Sequence, residues 1–324
     1  RGMVYYGNNS KQLGGIGEMC FNSPSNSYQI TVYNEDYKTP DWFKTGIAYQ
    51  IFVDRFCNGN ENGEFLGNRT DIIKRNWGEQ PFYKAEQFGG EYKANDFFGG
   101  NLKGVIKKLP YLKDLGISVI YLNPIFKAYS NHKYDTGDYE TIDPMFGDEE
   151  TFKELCSKAK EMGIRIILDG VFNHTGSNSR YFNKYGEYDS IGAYQSKESP
   201  YYTWFRFMDW PDVYESWWGM TTLPQIEEHS EECRKYLLSD KDAIVKRWIK
   251  NGASGWRLDV VDELPGFFVK ELRENVKKAD KDAVIIGEVW EDASNKSAYG
   301  ERREYFLGKE LDSVMNYPMR RALI

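Results

Sequence analysis

An incomplete (β/α)8 barrel of TIM type is the fold predicted by this α/β sequence, with an inserted domain and, ahead of it, the end of a β-sandwich. Three observations lead there. From residue 46 onward, apolar runs of strand length alternate with stretches of helical spacing, the rhythm of a parallel sheet with helices outside. The first run, Ile47–Val53, is apolar almost throughout, as expected of a strand covered on both faces. Three runs end in a carboxylate, Asp169, Asp259 and Glu288. That favours a barrel over a doubly wound sheet, because barrel enzymes gather reactive groups at the C-terminal ends of several strands.

In chain order, residues 1–40 place glycines and turn formers between short β-type runs such as Tyr28–Tyr33, the expected last strands of the sandwich. Thr39-Pro40-Asp41-Trp42 reads as the linker into the barrel, residues 41–324. A non-periodic excursion from Cys57 to Gly99 precedes a helix over Asn101–Leu115, closed by Gly116. Strand Ile117–Leu122, helix Asp148–Met162 and strand Ile164–Leu168 follow. Residues 173–228, dense in Tyr, Trp, Ser and Gly, are too long for an ordinary loop and are expected as the inserted domain. The rhythm resumes with helix Glu231–Asn251, strand Gly255–Val260, helix Pro265–Ala279, strand Ala283–Gly287, helix Ser297–Leu307 and a strand start at Leu311–Met315. About six strands are present, and two more βα units would be needed to close the barrel.

Composition narrows the function. A hydrophobic content of 40% with 16% aromatic residues is that of a folded chain, and no apolar run approaches a membrane span. A net charge of −7 without clustered Lys and Arg argues against nucleic acid. A neutral, hydroxyl-rich ligand is compatible, and 24 Tyr with 9 Trp provide rings that can stack on sugar faces. Cys20, Cys57, Cys156 and Cys233 are widely spaced and read as thiols, not as a disulfide framework or zinc site. The opening Arg1-Gly2-Met3-Val4 has no signal-peptide character, so the compartment stays open between secreted and cytoplasmic.

The chemistry centres on Gly255–Asp262. Strand alternation puts Trp256, Leu258 and Val260 on one side and Arg257 with Asp259 on the other. The cation should lower the pKa of the carboxylate, as a nucleophile needs, although a structural ion pair would look the same. Glu288 follows Val284-Ile285-Ile286-Gly287 and precedes Val289-Trp290, an apolar setting expected to raise its pKa. An ionised and a protonated carboxyl facing each other suit glycosidic bond cleavage.

The motif Leu168-Asp169-Gly170-Val171-Phe172-Asn173-His174 resembles the third-strand motif of the α-amylase family of glycoside hydrolases. Gly255–Asp262 resembles its fourth-strand motif, and Ile286-Gly287-Glu288-Val289-Trp290 its fifth. Asn131–Tyr139 with Ile142-Asp143-Pro144 is similar to the segment after the second strand in the neopullulanase, cyclomaltodextrinase and pullulanase-like branch. The resemblance implies that Asp259 is the nucleophile and Glu288 the general acid/base of a retaining enzyme, with Arg257 orienting the nucleophile. It implies that His174 and Tyr134 contact the sugar, that His132 flanks that subsite, and that Asp169 supports the site. Residues 173–228 would be domain B, with Trp217, Trp218 and Tyr214 as candidate sugar platforms. The implied substrates are α-1,4 links, and in some relatives α-1,6 links, of starch-like glucans, pullulan or cyclodextrins. The family's third carboxylate has no counterpart in these residues, a loss that should weaken transition-state stabilisation. Asn58, Asn60, Asn62, Gly99 and Asn101 resemble a calcium site of these relatives, departing from it in carrying Asn60 and Asn101 where aspartates are common. Glu227 likewise stands where relatives tend to carry asparagine. A binding or scaffolding protein on the same fold is the alternative, disfavoured by the retention of Asp259, Glu288, Arg257 and His174 together.

Overall fold

The computed structural model describes residues 3–10, 14–21 and 27–324, and the chain divides into two compact units, Arg1–Tyr37 and Lys38–Ile324. In the first, Tyr5–Gly7 pairs antiparallel with Glu18–Cys20. The run Tyr28–Tyr33, expected as a strand, has no regular secondary structure. Ile30 and Val32 are 87% and 80% exposed, so among the described residues no second layer covers the run, and β propensity needs such a covered surface to act.

The second unit is built on six strands, β1 (Ala48–Ile51), β2 (Val119–Leu122), β3 (Arg165–Gly170), β4 (Gly255–Leu258), β5 (Val284–Gly287) and β6 (Ser313–Val314). They lie side by side in chain order, every pairing parallel. This is the sheet of a (β/α) barrel over six of its strands. The main helices between them are α1 (Leu102–Asp114), α2 (Glu149–Glu161), α3 (Ile244–Lys250) and α4 (Gly266–Ala279). Asn101 caps α1 by accepting from the Gly104 amide, and Asp148 caps α2 by accepting from Thr151. Strand side chains alternate between two layers. Val119, Tyr121, Ile167 and Val284 form the inner one, with Trp42 and Phe43 packed against them. Ile120, Ile166, Trp256, Leu258 and Ile285 belong to the large outer core shared with the helices.

Two expected helices differ. Residues 231–251 break into an α turn (Glu231–Arg234), a π turn (Lys235–Ser239) and α3. Asp240 is extended there, and Lys246 Nζ donates to the Ser239 carbonyl at 2.7 Å. Residues 297–307 form no helix but a hairpin, Ser297–Ala298 against Glu301–Arg302. Tyr299 and Gly300 both have positive φ, 54° and 77°, the turn that suits two antiparallel strands and ends a helix.

Residues 173–228 leave β3 and return through isolated bridges, His174 with Gln225 and Phe205 with Ile226. They pack on aromatic rings of their own. Phe182 lies 4.7 Å from Tyr214 and 4.9 Å from Phe205, and Tyr181 stacks on Trp204 at 5.0 Å.

Candidate active site at the C-terminal strand ends

Register brings the charged residues together. The β3–β4 ladder pairs Arg257 with Asp169, and the β4–β5 ladder pairs Arg257 with Ile286. Asp259 and Glu288, each two residues further on, therefore leave adjacent strands at the same level and on the same face. The Asp259 amide donates to the Gly170 carbonyl at 3.1 Å and that of Glu288 to Leu258 at 3.0 Å.

Arg257 grips three carboxylates. Its Nη1 lies 2.9 Å from Asp169 Oδ1 and 2.7 Å from Asp259 Oδ1, and its Nη2 lies 2.9 Å from Glu288 Oε2. Val260 donates its amide to Glu288 Oε2 at 3.0 Å. It does so with φ at 40°, a strained setting for a β-branched residue. The same turn breaks the expected alternation, so that Val260 lines the cleft instead of joining Trp256 and Leu258. Tyr317 donates to Glu288 Oε1 at 3.2 Å. Tyr121 and Tyr134 both donate to Asp169 Oδ2, the latter at 3.1 Å.

The protonation pattern reverses the expectation. Burial raises Asp259 to about 8, with the Asp169 and Glu288 charges adding to it and Arg257 opposing. Burial also raises Glu288, but Arg257, the Val260 amide, Trp290 and Tyr317 together outweigh it and hold the carboxyl below its usual range. Burial raises Asp169 as well, against Arg257, Tyr121 and Tyr134, so protonation is favoured on the Asp169 and Asp259 side of Arg257 and ionisation on Glu288. The cause is unequal solvation. Three buried carboxylates sharing one cation cannot all ionise at low cost, and Glu288 has collected more donors than Asp259.

The cleft around these groups has a volume of about 920 Å³. Burial lowers His174 to about 4, so the ring is neutral at pH 7, and its Nε2 is buried without a hydrogen-bond partner. Trp217 stacks on it at 5.1 Å and Trp218 on Trp217 at 5.1 Å. His132 accepts at Nδ1 from the Tyr134 amide at 3.1 Å, which leaves its proton on Nε2. Asp259, Glu288, Arg257, His174, Tyr134 and His132 all line this one cleft. Tyr214 does not join the expected platforms, being buried with its hydroxyl on the Thr221 carbonyl at 2.7 Å. Sequence reasoning missed Tyr121, Tyr317, Trp290 and the wall segment Glu91–Ala94. Tyr121 was accessible in principle, since it lies at the end of β2 on the inner face.

Of the five residues of the expected calcium site, Asn58, Asn60, Gly99 and Asn101 meet at the start of α1, while Asn62 is exposed in the turn beside them. Gly59 packs so closely there that a Cβ would lie 2.4 Å from the Gly104 nitrogen. As arranged, the set does not fit the ion. Asn101 Oδ1 accepts from the Gly59 and Gly104 amides at 3.1 and 2.9 Å, and Asn58 Oδ1 accepts from Asn60 and from Asn101 Nδ2. None of the five is a carboxylate, and calcium favours several charged oxygens. Among the described residues, no group of three or more His, Cys, Asp or Glu side chains could hold a metal.

The family description "Alpha amylase, catalytic domain" matches residues 50–324. The chain is 41% identical to the amylopullulanase of Thermoanaerobacterium saccharolyticum, over 99% of this chain and 26% of that protein. It is 40% identical to the cyclomaltodextrinase of Thermoanaerobacter pseudethanolicus, over 88% of this chain and 45% of that protein. Among solved structures it resembles a cyclic α-maltosyl-(1→6)-maltose hydrolase from Arthrobacter globiformis in complex with that cyclic sugar, with 31% identity, a TM-score of 0.72, and coverage of 87% of this chain and 57% of that one. It therefore spans only a quarter to under three fifths of the length of these relatives. With a match over most of its residues and the expected carboxylates meeting at the strand ends, the chain belongs to the α-amylase family of glycoside hydrolases.

Proposed function

We propose that the protein carrying this chain cleaves α-1,4 links, and α-1,6 links beside them, in starch-like glucans, pullulan or cyclodextrins by a double displacement with retention. The observation that carries this is the single Arg257 guanidinium holding both Asp259 and Glu288. That grip keeps the two carboxyls side by side, the arrangement a retaining pair with a separation of roughly 5–5.5 Å uses.

In this mechanism a bound sugar chain places its glycosidic oxygen at Glu288. The acceptor oxygen favours the protonated form of Glu288, and the proton held on the Asp259 side of Arg257 passes to it. Asp259, now ionised against Arg257, attacks the anomeric carbon while Glu288 protonates the departing oxygen. Glu288 then takes a proton from water, the water oxygen attacks the same carbon, and the bond to Asp259 breaks. His174 contacts the sugar, the Tyr134 ring stacks on it, and Asp169 keeps Arg257 in place. The names of the relatives, an amylopullulanase, a cyclomaltodextrinase and a hydrolase of a mixed (1→6)-linked maltose ring, support the substrate class.

Release of reducing ends from starch, pullulan and cyclodextrins by the whole protein tests the assignment. Asp259→Asn is expected to lose orders of magnitude in rate. A rate equal to wild type would show the assignment to be wrong.

A further inference from the structure

Trp218 is 63% exposed, and its backbone has φ at 51°, in the left-handed region. A bulky residue rarely adopts that conformation, and residues held in it gather at functional sites. Burial of so exposed a ring does not account for it. Among the described residues the cleft is lined by Trp217 and Trp290 but not by Trp218. Trp218 instead touches both of them. It lies flat on Trp217 at 5.1 Å and 22°, and edge-on to Trp290 at 5.9 Å and 86°.

One hydrogen bond anchors this ring. Its Nε1, which can only donate, reaches Glu263 Oε1 at 2.9 Å. A charged acceptor makes such a bond stronger than a neutral one. Glu263 belongs to the short helical turn Val261–Glu263 just beyond Asp259, so its carboxyl is fixed relative to the end of β4. Tyr299, in the turn of the hairpin, also hydrogen-bonds to Glu263. The restraint then passes along the stack. Trp217 lies on the His174 ring at 5.1 Å and 25°. His174 Nε2 has no partner, so the plane of that ring depends on Trp217 and on Asn173 Oδ1, 3.2 Å from its Nδ1. The carboxylates take their places from Arg257 and the strand ladder and need none of this.

We propose that Glu263, acting through Trp218, is a positioning residue that sets Trp217 and Trp290, and through Trp217 the His174 ring, in the planes against which a glucan binds. The proposal rests on the glucan-cleaving reading above and deepens it, separating the groups that hold the sugar from those that cleave it.

The experiment compares the whole protein with its Glu263→Leu, Glu263→Gln and Trp218→Leu variants. Glu263→Gln keeps a side-chain oxygen that can accept from the indole, and Glu263→Leu does not. Two readouts are taken, the circular-dichroism exciton couplet of indoles in contact and steady-state kinetics on maltohexaose. Glu263→Leu and Trp218→Leu should lose the couplet and raise KM about fivefold, as for the loss of one aromatic contact, with kcat little changed. Glu263→Gln should match the wild type in both. Should Glu263→Leu not fold, Trp218→Leu supplies the same comparison. A Glu263→Leu variant that keeps couplet and KM, or that loses kcat at constant KM, overturns the proposal, as does a Glu263→Gln variant that behaves like Glu263→Leu. Each of these leaves the catalytic reading standing, whereas a wild type that neither binds nor cleaves maltohexaose overturns both.

Discussion

Lys133 and Asp143 form an ion pair of 2.6 Å in which the two side chains are 0% and 3% exposed. Lys133 also donates to the Ala128 carbonyl at 2.9 Å, and Asp143 accepts from the Ala128 and Met145 amides. The pair therefore fixes the loop at a point between His132 and Tyr134, two residues of the cleft wall. Lys133→Met leaves Asp143 charged, buried and without its cation, and should cost about 3–5 kcal/mol in denaturant unfolding. Adding Asp143→Asn should recover part of that loss, because no unpaired charge then remains. Equal stability of the single and double variants would show that the pair acts through shape alone.

Burial and the neighbouring carboxylates push Asp259 up to about 8. Above that value both carboxyls are ionised and no acid faces the departing oxygen, so kcat/KM should decline on the alkaline side from about pH 8. Tyr317→Phe removes a donor that favours ionised Glu288. Glu288 should then bind its proton more readily, and the acid limb of the pH profile should move upward. The full profile of wild type and variant reads both effects.

Glu228 is buried, its Oε1 has no hydrogen-bond partner, and burial raises its pKa to about 8, with Glu227 and Glu215 adding and Arg206 opposing. Cys233, itself buried, lies in its field. The folded state thus binds a proton that the unfolded chain has lost above its ordinary pKa of about 4.3. Stability from this group is complete below that value and falls as pH rises towards 8. Glu228→Gln removes the dependence. Its stability relative to wild type should grow by roughly 3–4 kcal/mol between pH 5 and 8, read from melting curves at several pH values.

Asn101→Ala removes the two bonds its Oδ1 accepts, one of them the cap of α1, and should destabilise by about 1–2 kcal/mol. Calcium titration followed by melting separates the capping role from an ionic one. Asn101→Asp, which supplies the missing charge, should gain more from millimolar calcium than the wild type does. A larger shift in the wild type would restore the metal reading of this turn.

The parallel sheet and the meeting of Asp169, Arg257, Asp259 and Glu288 were legible in the sequence because both follow from short-range rules. Apolar runs reveal strands, and a carboxylate at each strand end needs only the register to join the others. What could not be read depended on contacts distant in the chain. The proton balance between Asp259 and Glu288 turns on Val260 and Tyr317, one acting through a strained backbone and the other 29 residues from Glu288. The hairpin at 297–302 carries helix-compatible residues, and only the paired positive φ values at Tyr299 and Gly300 reveal the turn. Tyr214 looked like a platform because its ring is suited to sugars, and burial against Phe182 decided otherwise.

Two irregular excursions, Glu91–Ala94 and the segment from Trp217 to Leu223, contribute to the lining of the cleft, while its carboxylates stand at the ends of the paired strands. Inheritance can treat the two independently. Insertions and exchanges in the excursions change which sugar chain fits without disturbing the ladder that aligns Arg257 with its carboxylates. A chain built this way can change what its cleft accepts while the alignment of its charged groups stays fixed.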